Sequence, residues 1–160
     1  MSGGDDIVTR VDDRTLTLTN LDKVLYPSVG FTKAEVIDYY LRIAPVMLPH
    51  IRDRAMTRLR FPDGVGADSF SFYEKNAPMG TPDWVRRVNV STSDGIIDYV
   101  VADDEATIVW LANLAALEMH VPQWTVASAT FSPRPCQRSI SGRTSSISNL
   151  LGSAWTVLKT

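Results

Sequence analysis

Leucines alternate with threonines in the stretch RTLTLTN (residues 14–20), and this period of two predicts a half-buried strand ending at Asn20. The next residues, LDKVLYP, enter a bend closed by Pro27, and SVGF is a turn. The period then changes. In TKAEVIDYYLRIAPVMLPHI, Val36, Tyr39, Tyr40, Ile43 and Met47 recur at helical spacing, and Thr32 with Glu35 three residues on is a capping box. Pro45 is expected to kink or end this helix. AMTRLRFPDG reads as a strand with Arg58 and Arg60 on one face, running into a Pro-Asp-Gly turn, and SFSFYEK as a second strand. VRRVNVS and IIDYVV flank TSDG and predict a hairpin. A second helix is predicted from an N-cap at Asp103 or Asp104 through EATIVWLANLAALEM, with Ile108, Leu111, Ala112, Ala115 and Met119 on one face and HVPQWTV leaving it extended. This succession predicts an α+β fold with a mixed or antiparallel sheet and two main helices.

The patterning stops near residue 127. The remaining stretch has eight serines, no acid and little sustained period, and only ISNLLGSAWTVLK could form a short helix. Three regions follow: a flexible polar lead over residues 1–14, a folded module over 15–126, and a divergent Ser/Arg-rich tail over 127–160. Charge divides the same way. Residues 1–126 carry 12 Lys/Arg against 18 Asp/Glu and residues 127–160 carry four against none, so the net charge of −2 splits into −6 and +4. At 160 residues the chain suits one domain. No apolar run approaches the roughly 18 residues that span a bilayer, and MSGGDDIVTR has neither the basic nor the apolar region of a secretory signal. A cytoplasmic location is expected. The lone cysteine, Cys136, excludes an internal disulfide, and with His50 and His120 as the only histidines no zinc cluster can be assembled.

Candidate chemistry begins with two lysines. Lys33 would be the first residue of the first helix, where unpaired backbone N–H groups and the dipole favour an anion. Lys23 would reach the same place from the preceding turn, with the Asn20 amide as a further donor. The alternative is two solvated surface lysines. Arg58 and Arg60, near the Phe72-Tyr73 pair, suit a sheet that binds single-stranded or terminal nucleic acid through charge and stacking; a solvated basic face over core aromatics is the alternative. His120 is either a ligand contact or a histidine at a helix C-terminus. Asp103 and Glu105 diverge by about 200° at a helix start, which favours capping over metal binding.

Taken together, LTNLDKVLYP, GFTKAEVIDYYLRIAPVMLPHI, TRLRFPDGV, FYEKNAP and ALEMHVPQW resemble, in order from about residue 15 to 125, the primase-polymerase domain of bacterial ligase D. This is the archaeo-eukaryotic primase-like domain used in non-homologous end joining. The resemblance implies that Lys23 and Lys33, with Asn20, bind the 5′-phosphate on the downstream side of a DNA gap or break. It implies that Phe72 and Tyr73 stack on the template and that His120 lies near the incoming nucleotide. It leaves Arg58 and Arg60 as candidates for the DNA backbone, and brings in Ku, the end-joining factor, as a candidate partner near the nucleoid.

The departure from the family matters as much. Such polymerases hold two divalent ions, magnesium or manganese, with an Asp-x-Asp pair shortly after HVPQW and a third aspartate much later. Here no acid follows Glu118. The expectation is therefore a DNA-end-binding module with no metal cofactor and no independent nucleotidyl transfer, matching the N-terminal half of that domain and carrying a frameshifted or truncated tail. An intact downstream frame encoding Asp-x-Asp, found on resequencing the locus, is the observation that would support a frameshift. Two alternatives stay open: an active polymerase that recruits carboxylates from Asp103 or a partner chain, and a product without a role of its own whose exposed half-core drives self-association.

Overall fold

The computed structural model describes residues 6–66 and 68–129. Its first element departs from the expected flexible lead. Ile7–Val11 is a strand (β1) paired antiparallel with Arg14–Leu18 (β2), and the two-residue turn between them is possible because Asp12 takes a left-handed φ of 51°. Along β2 the leucines are buried and the threonines exposed, as their alternation predicts. The bend after Asn20 contains a further short ladder, Val24–Tyr26 (β3) against Phe31–Thr32 (β4).

Helix α1, Lys33–Ile51, starts with the predicted capping box. It runs through both Pro45 and Pro49, so of the two outcomes expected at Pro45, a kink or an end, the end does not occur: each proline removes one backbone hydrogen bond, and burial of Ala44, Leu48 and Ile51 in the core offsets that loss. Its buried stripe is Val36, Ile37, Tyr40, Ala44, Leu48 and Ile51. Tyr39, Ile43 and Met47 lie at the stripe's edge and, with Tyr26, Phe31, Leu117 and Met119, line an open apolar groove of about 560 Å³.

The central antiparallel sheet is built on Ala55–Arg60 (β5), with Phe72–Glu74 (β6) and Gly95–Val101 (β8) on one side and Ala116–His120 (β9) on the other. Arg87–Thr92 (β7) pairs with β8 as the predicted hairpin. Helix α2, Glu105–Asn113, is capped by Asp104, whose side chain accepts the Thr107 N–H. The expected continuation of α2 to Met119 is wrong. Ala115 adopts φ 55°, which ends the helix, and the next five residues extend as β9 because they can pair with β5. A four-residue helix, Val126–Ala129 (α3), closes the described chain, tied to Asp53 through the Val126 and Ala127 N–H groups.

The fold is thus α+β with an antiparallel sheet and two main helices. Its core joins Leu16 and Leu18 of β2, the α1 stripe, and Ile108, Val109, Leu111 and Ala112 of α2. Among the described residues no helix is long and apolar enough to cross a membrane.

Candidate nucleic-acid interface

The turn from Asn20 to Lys23 is possible because Asn20 tolerates a left-handed φ of 51°, and the Lys23 N–H closes it on the Asn20 carbonyl at 3.1 Å. This turn docks on the start of α1. The Lys33 N–H donates to the Lys23 carbonyl (2.8 Å) and the Ala34 N–H to the Leu21 carbonyl (3.0 Å), while Thr32 Oγ1 accepts the Glu35 N–H. The opening amides of α1 are therefore occupied within the protein. This corrects the expectation that they would be unpaired and ready for an anion; any anion here must be held by side chains.

Those side chains do converge. Thr19, Asn20, Lys23, Lys33, Arg60 and Asn113 are among the residues lining a cavity of about 240 Å³. Lys33 is only 5% exposed, and its Nζ donates to the Thr19 carbonyl (2.6 Å) and Thr19 Oγ1 (3.3 Å). An ammonium has three donors, so one is left for a ligand. Burial, and next the nearby charge of Lys23, push its pKa down to about 8. Lys23 is more open and pairs with Asp63 at 2.9 Å. Asp63 stands in the predicted Pro-Asp-Gly turn, which Gly64, at φ 84°, presses against the backbone of β3. Asn113 braces the cavity wall, since its side chain accepts the Thr19 N–H and donates to the Thr17 carbonyl, fixing β2 to α2.

Arg60 enters the cavity from β5. Its Nε donates to the Leu114 carbonyl at 2.9 Å, its Nη1 lies 3.3 and 3.4 Å from the two Glu74 oxygens, and its guanidinium carbon sits 5.3 Å from the centre of the Phe72 ring. Arg58 is different. It is 0% exposed, with Nη2 donating to the Asn76 carbonyl (2.6 Å) and paired with Glu74 (3.1 Å). Burial lowers its pKa, opposed by Glu74, and its Nε and Nη1 have no hydrogen-bond partner among the described residues. Full burial removes Arg58 from the DNA-backbone role expected for it, and it also removes the picture of a solvated basic face.

Phe72 and Tyr73 are adjacent in β6 and so point to opposite faces of the sheet. Phe72 lies on the Arg60 side, 5.4 Å between ring centres from Phe70. Tyr73, 65% exposed, lies on the other side, 6.0 Å from the His120 ring. His120 sits on β9 opposite Thr57, not at a helix end, with Nε2 2.9 Å from Glu118. It lines a separate cavity of about 380 Å³ with Thr57, Tyr99 and Trp124. Phe70, exposed beside Phe72, is an aromatic that the sequence pattern did not single out; the alternation SFSF was the signal for it.

Of the acidic candidates, Asp103 is occupied. Asp103 accepts the Asp53 N–H (2.7 Å) and pairs with Arg86 (2.6 Å), while Glu105 lies in the first turn of α2. Among the described residues no group of three or more His, Cys, Asp or Glu could hold a metal ion. The donor set of the described residues does not fit the two divalent ions that the resemblance implies.

Residues 32–140 match the family described as LigD, primase-polymerase domain. The matched range runs past residue 126, where the change in composition suggests a boundary. The chain is 42% identical over 130 residues to the multifunctional non-homologous end joining protein LigD of Mycobacterium bovis, covering 79% of this chain and 17% of that protein. It is 48% identical over 107 residues to the corresponding protein of Mycolicibacterium smegmatis, covering 67% of this chain and 14% of that one. The chain thus spans under a fifth of the length of these relatives. Among solved structures, the polymerase domain of Mycobacterium tuberculosis ligase D in complex with DNA is similar, with a TM-score of 0.66 and 46% identity over 69% of this chain and 38% of that one.

Proposed function

The chain belongs to the LigD primase-polymerase domain family, and from that premise we propose that it binds gapped or broken DNA by taking the 5′-phosphate between Lys23, Lys33 and Asn20. One observation carries this reading: Lys33 holds a buried ammonium whose hydrogen bonds, among the described residues, go only to Thr19. The charge of Asp6 acts on it only from a distance, and a buried cation with no carboxylate in direct contact is costly unless an anion completes it; the cavity it faces is lined by Lys23 and Arg60 as well. Lysine meets phosphate as a point charge, so the contact is sensitive to salt and indifferent to sequence.

In this reading Phe72 and Tyr73 contact the template from the two faces of β6, and His120 contacts a nucleotide from the second cavity. The protein acts in the cytoplasm at the nucleoid, with Ku as a candidate partner. In this reading the described residues bind DNA without supplying the carboxylates for nucleotide transfer, because Asp103 is already engaged by Arg86. Metal-dependent nucleotide addition by the purified chain is the outcome that would favour the alternative of an active polymerase.

The test is binding of the purified protein to a gapped duplex with and without the 5′-phosphate, at two salt concentrations. Tighter binding with phosphate, a difference that shrinks as salt rises, and loss of that difference in Lys23→Ala are expected. Equal affinity for both duplexes would sink the reading.

A second reading rests on the apolar groove beside α1, where Tyr39 and Val29 are exposed. A surface of this kind favours self-association. Sedimentation at rising concentration checks it, and a constant monomer mass removes it.

A further inference from the structure

Resting on the phosphate reading above, we propose that Arg60 couples occupancy of the phosphate pocket to stacking on Phe72, by exchanging its Glu74 contact for the phosphate. Three features of its position lead there. Arg60 lines the same cavity as Lys23 and Lys33, so its guanidinium is within reach of an anion bound there. Its Glu74 contact, at 3.3 and 3.4 Å, is long for a charge-assisted hydrogen bond. Glu74 is held independently by Arg58 at 3.1 Å, so it keeps a counterion when Arg60 leaves. The Nε bond to the Leu114 carbonyl acts as a pivot, since it involves neither Glu74 nor the cavity's lysines.

The same guanidinium lies over the face of Phe72, which in turn packs on exposed Phe70. Its planar group can stack on a ring while its edge donates hydrogen bonds, which an ammonium cannot do. A phosphate that draws the edge of Arg60 into the cavity therefore reorients the plane against which Phe72 is set. In this way a terminal phosphate is felt at the aromatic surface offered to an unpaired base. Arg60 is thus a positioning residue for Phe72 as well as a phosphate ligand.

The experiment compares four gapped duplexes, with or without the 5′-phosphate and with template bases or abasic sites across the gap. In the unaltered protein, the gain in affinity from the phosphate should be at least about threefold larger on the template that carries bases, the size of a modest pairwise coupling. Arg60→Gln should abolish that excess. Arg60→Lys should keep part of the phosphate gain while losing the excess, an outcome that a merely structural role for Arg60 does not produce. A phosphate gain of the same size on both templates in the unaltered protein overturns the coupling and leaves the pocket standing; no phosphate gain at all overturns both. The template comparison needs no substitution, so it decides the matter even if Arg60→Gln does not fold.

Discussion

The Nζ of Lys33 lies 2.6 Å from the carbonyl oxygen of Thr19, which places a buried ammonium at the end of β2 and against the turn that carries Lys23. Its pKa is about 8 in the folded chain against 10.5 for the free side chain. The unfolded chain therefore binds more protons between these values, and the cost of burying the charge is relieved as pH rises across that window. Anion binding runs the other way, since it needs the charged form. A phosphate monoester is doubly ionised above about pH 6. The affinity gained from a 5′-phosphate should be greatest near neutral pH and should fall as Lys33 loses its proton above about pH 8, with the fall displaced upward by the bound dianion. Titrations at pH 7 and at roughly pH 10, the ordinary lysine range, check this; a phosphate gain unchanged between them removes Lys33 from the pocket.

Gly64 should not tolerate a side chain. A Cβ there would stand 2.8 Å from the Leu25 carbonyl oxygen and 3.0 Å from that of Val24, at a φ of 84°. Gly80 has a similar φ of 82° with nothing near the same position. Gly64→Ala is expected to cost about 1–3 kcal/mol more than Gly80→Ala, since both share the backbone strain and only the first adds a clash with backbone. Urea unfolding of the pair measures it. Gly64→Ala should also weaken phosphate-dependent binding, because the Pro-Asp-Gly turn sets Asp63 against Lys23; similar stabilities for the two variants would count against the close approach.

Glu74 should matter more to stability than Arg58, although Arg58 is the more buried of the two. Glu74→Leu leaves the Arg58 guanidinium charged and buried without a counterion, a loss of about 3–5 kcal/mol. Arg58→Met leaves Glu74 with Arg60 and is expected to cost roughly 1–2 kcal/mol. The double variant should recover much of the Glu74→Leu loss. Equal costs for the two single changes would mean that Arg60 does not share the carboxylate.

The fold class was legible along the chain because two local signals were clean. The Leu-Thr alternation marks β2, and Thr32 with Glu35 marks the start of α1. Hidden were the features set by partners distant along the chain. β9 reads as helix, since Ala115 to Met119 continues the apolar spacing of α2, and only the availability of β5 as a pairing edge makes it a strand. Arg58 reads as surface because arginines usually are, and its burial depends on Glu74 and the Asn76 carbonyl arriving from β6 and the residues after it. Lys23 and Lys33 were legible as a pair through their separate local signals, a turn and a cap. The occupied amides around them were not, because those hydrogen bonds join the turn to the helix and have no signature in either segment. From Thr130 onward the expected Ser/Arg-rich tail lies outside the described residues.

Those occupied amides determine what the pocket can measure. A cradle of fixed backbone N–H groups would grip a phosphate by its shape and hold every oxygen to a set direction. With the start of α1 closed by Lys23 and Leu21 carbonyls, the cavity offers an anion cationic side chains instead. Such a cavity counts charge more than it gauges form. A terminal monoester carries about two negative charges at neutral pH, whereas an internal phosphodiester carries one. If the pocket takes a 5′-phosphate as proposed, the second charge of the monoester helps to tell a strand end from a strand interior.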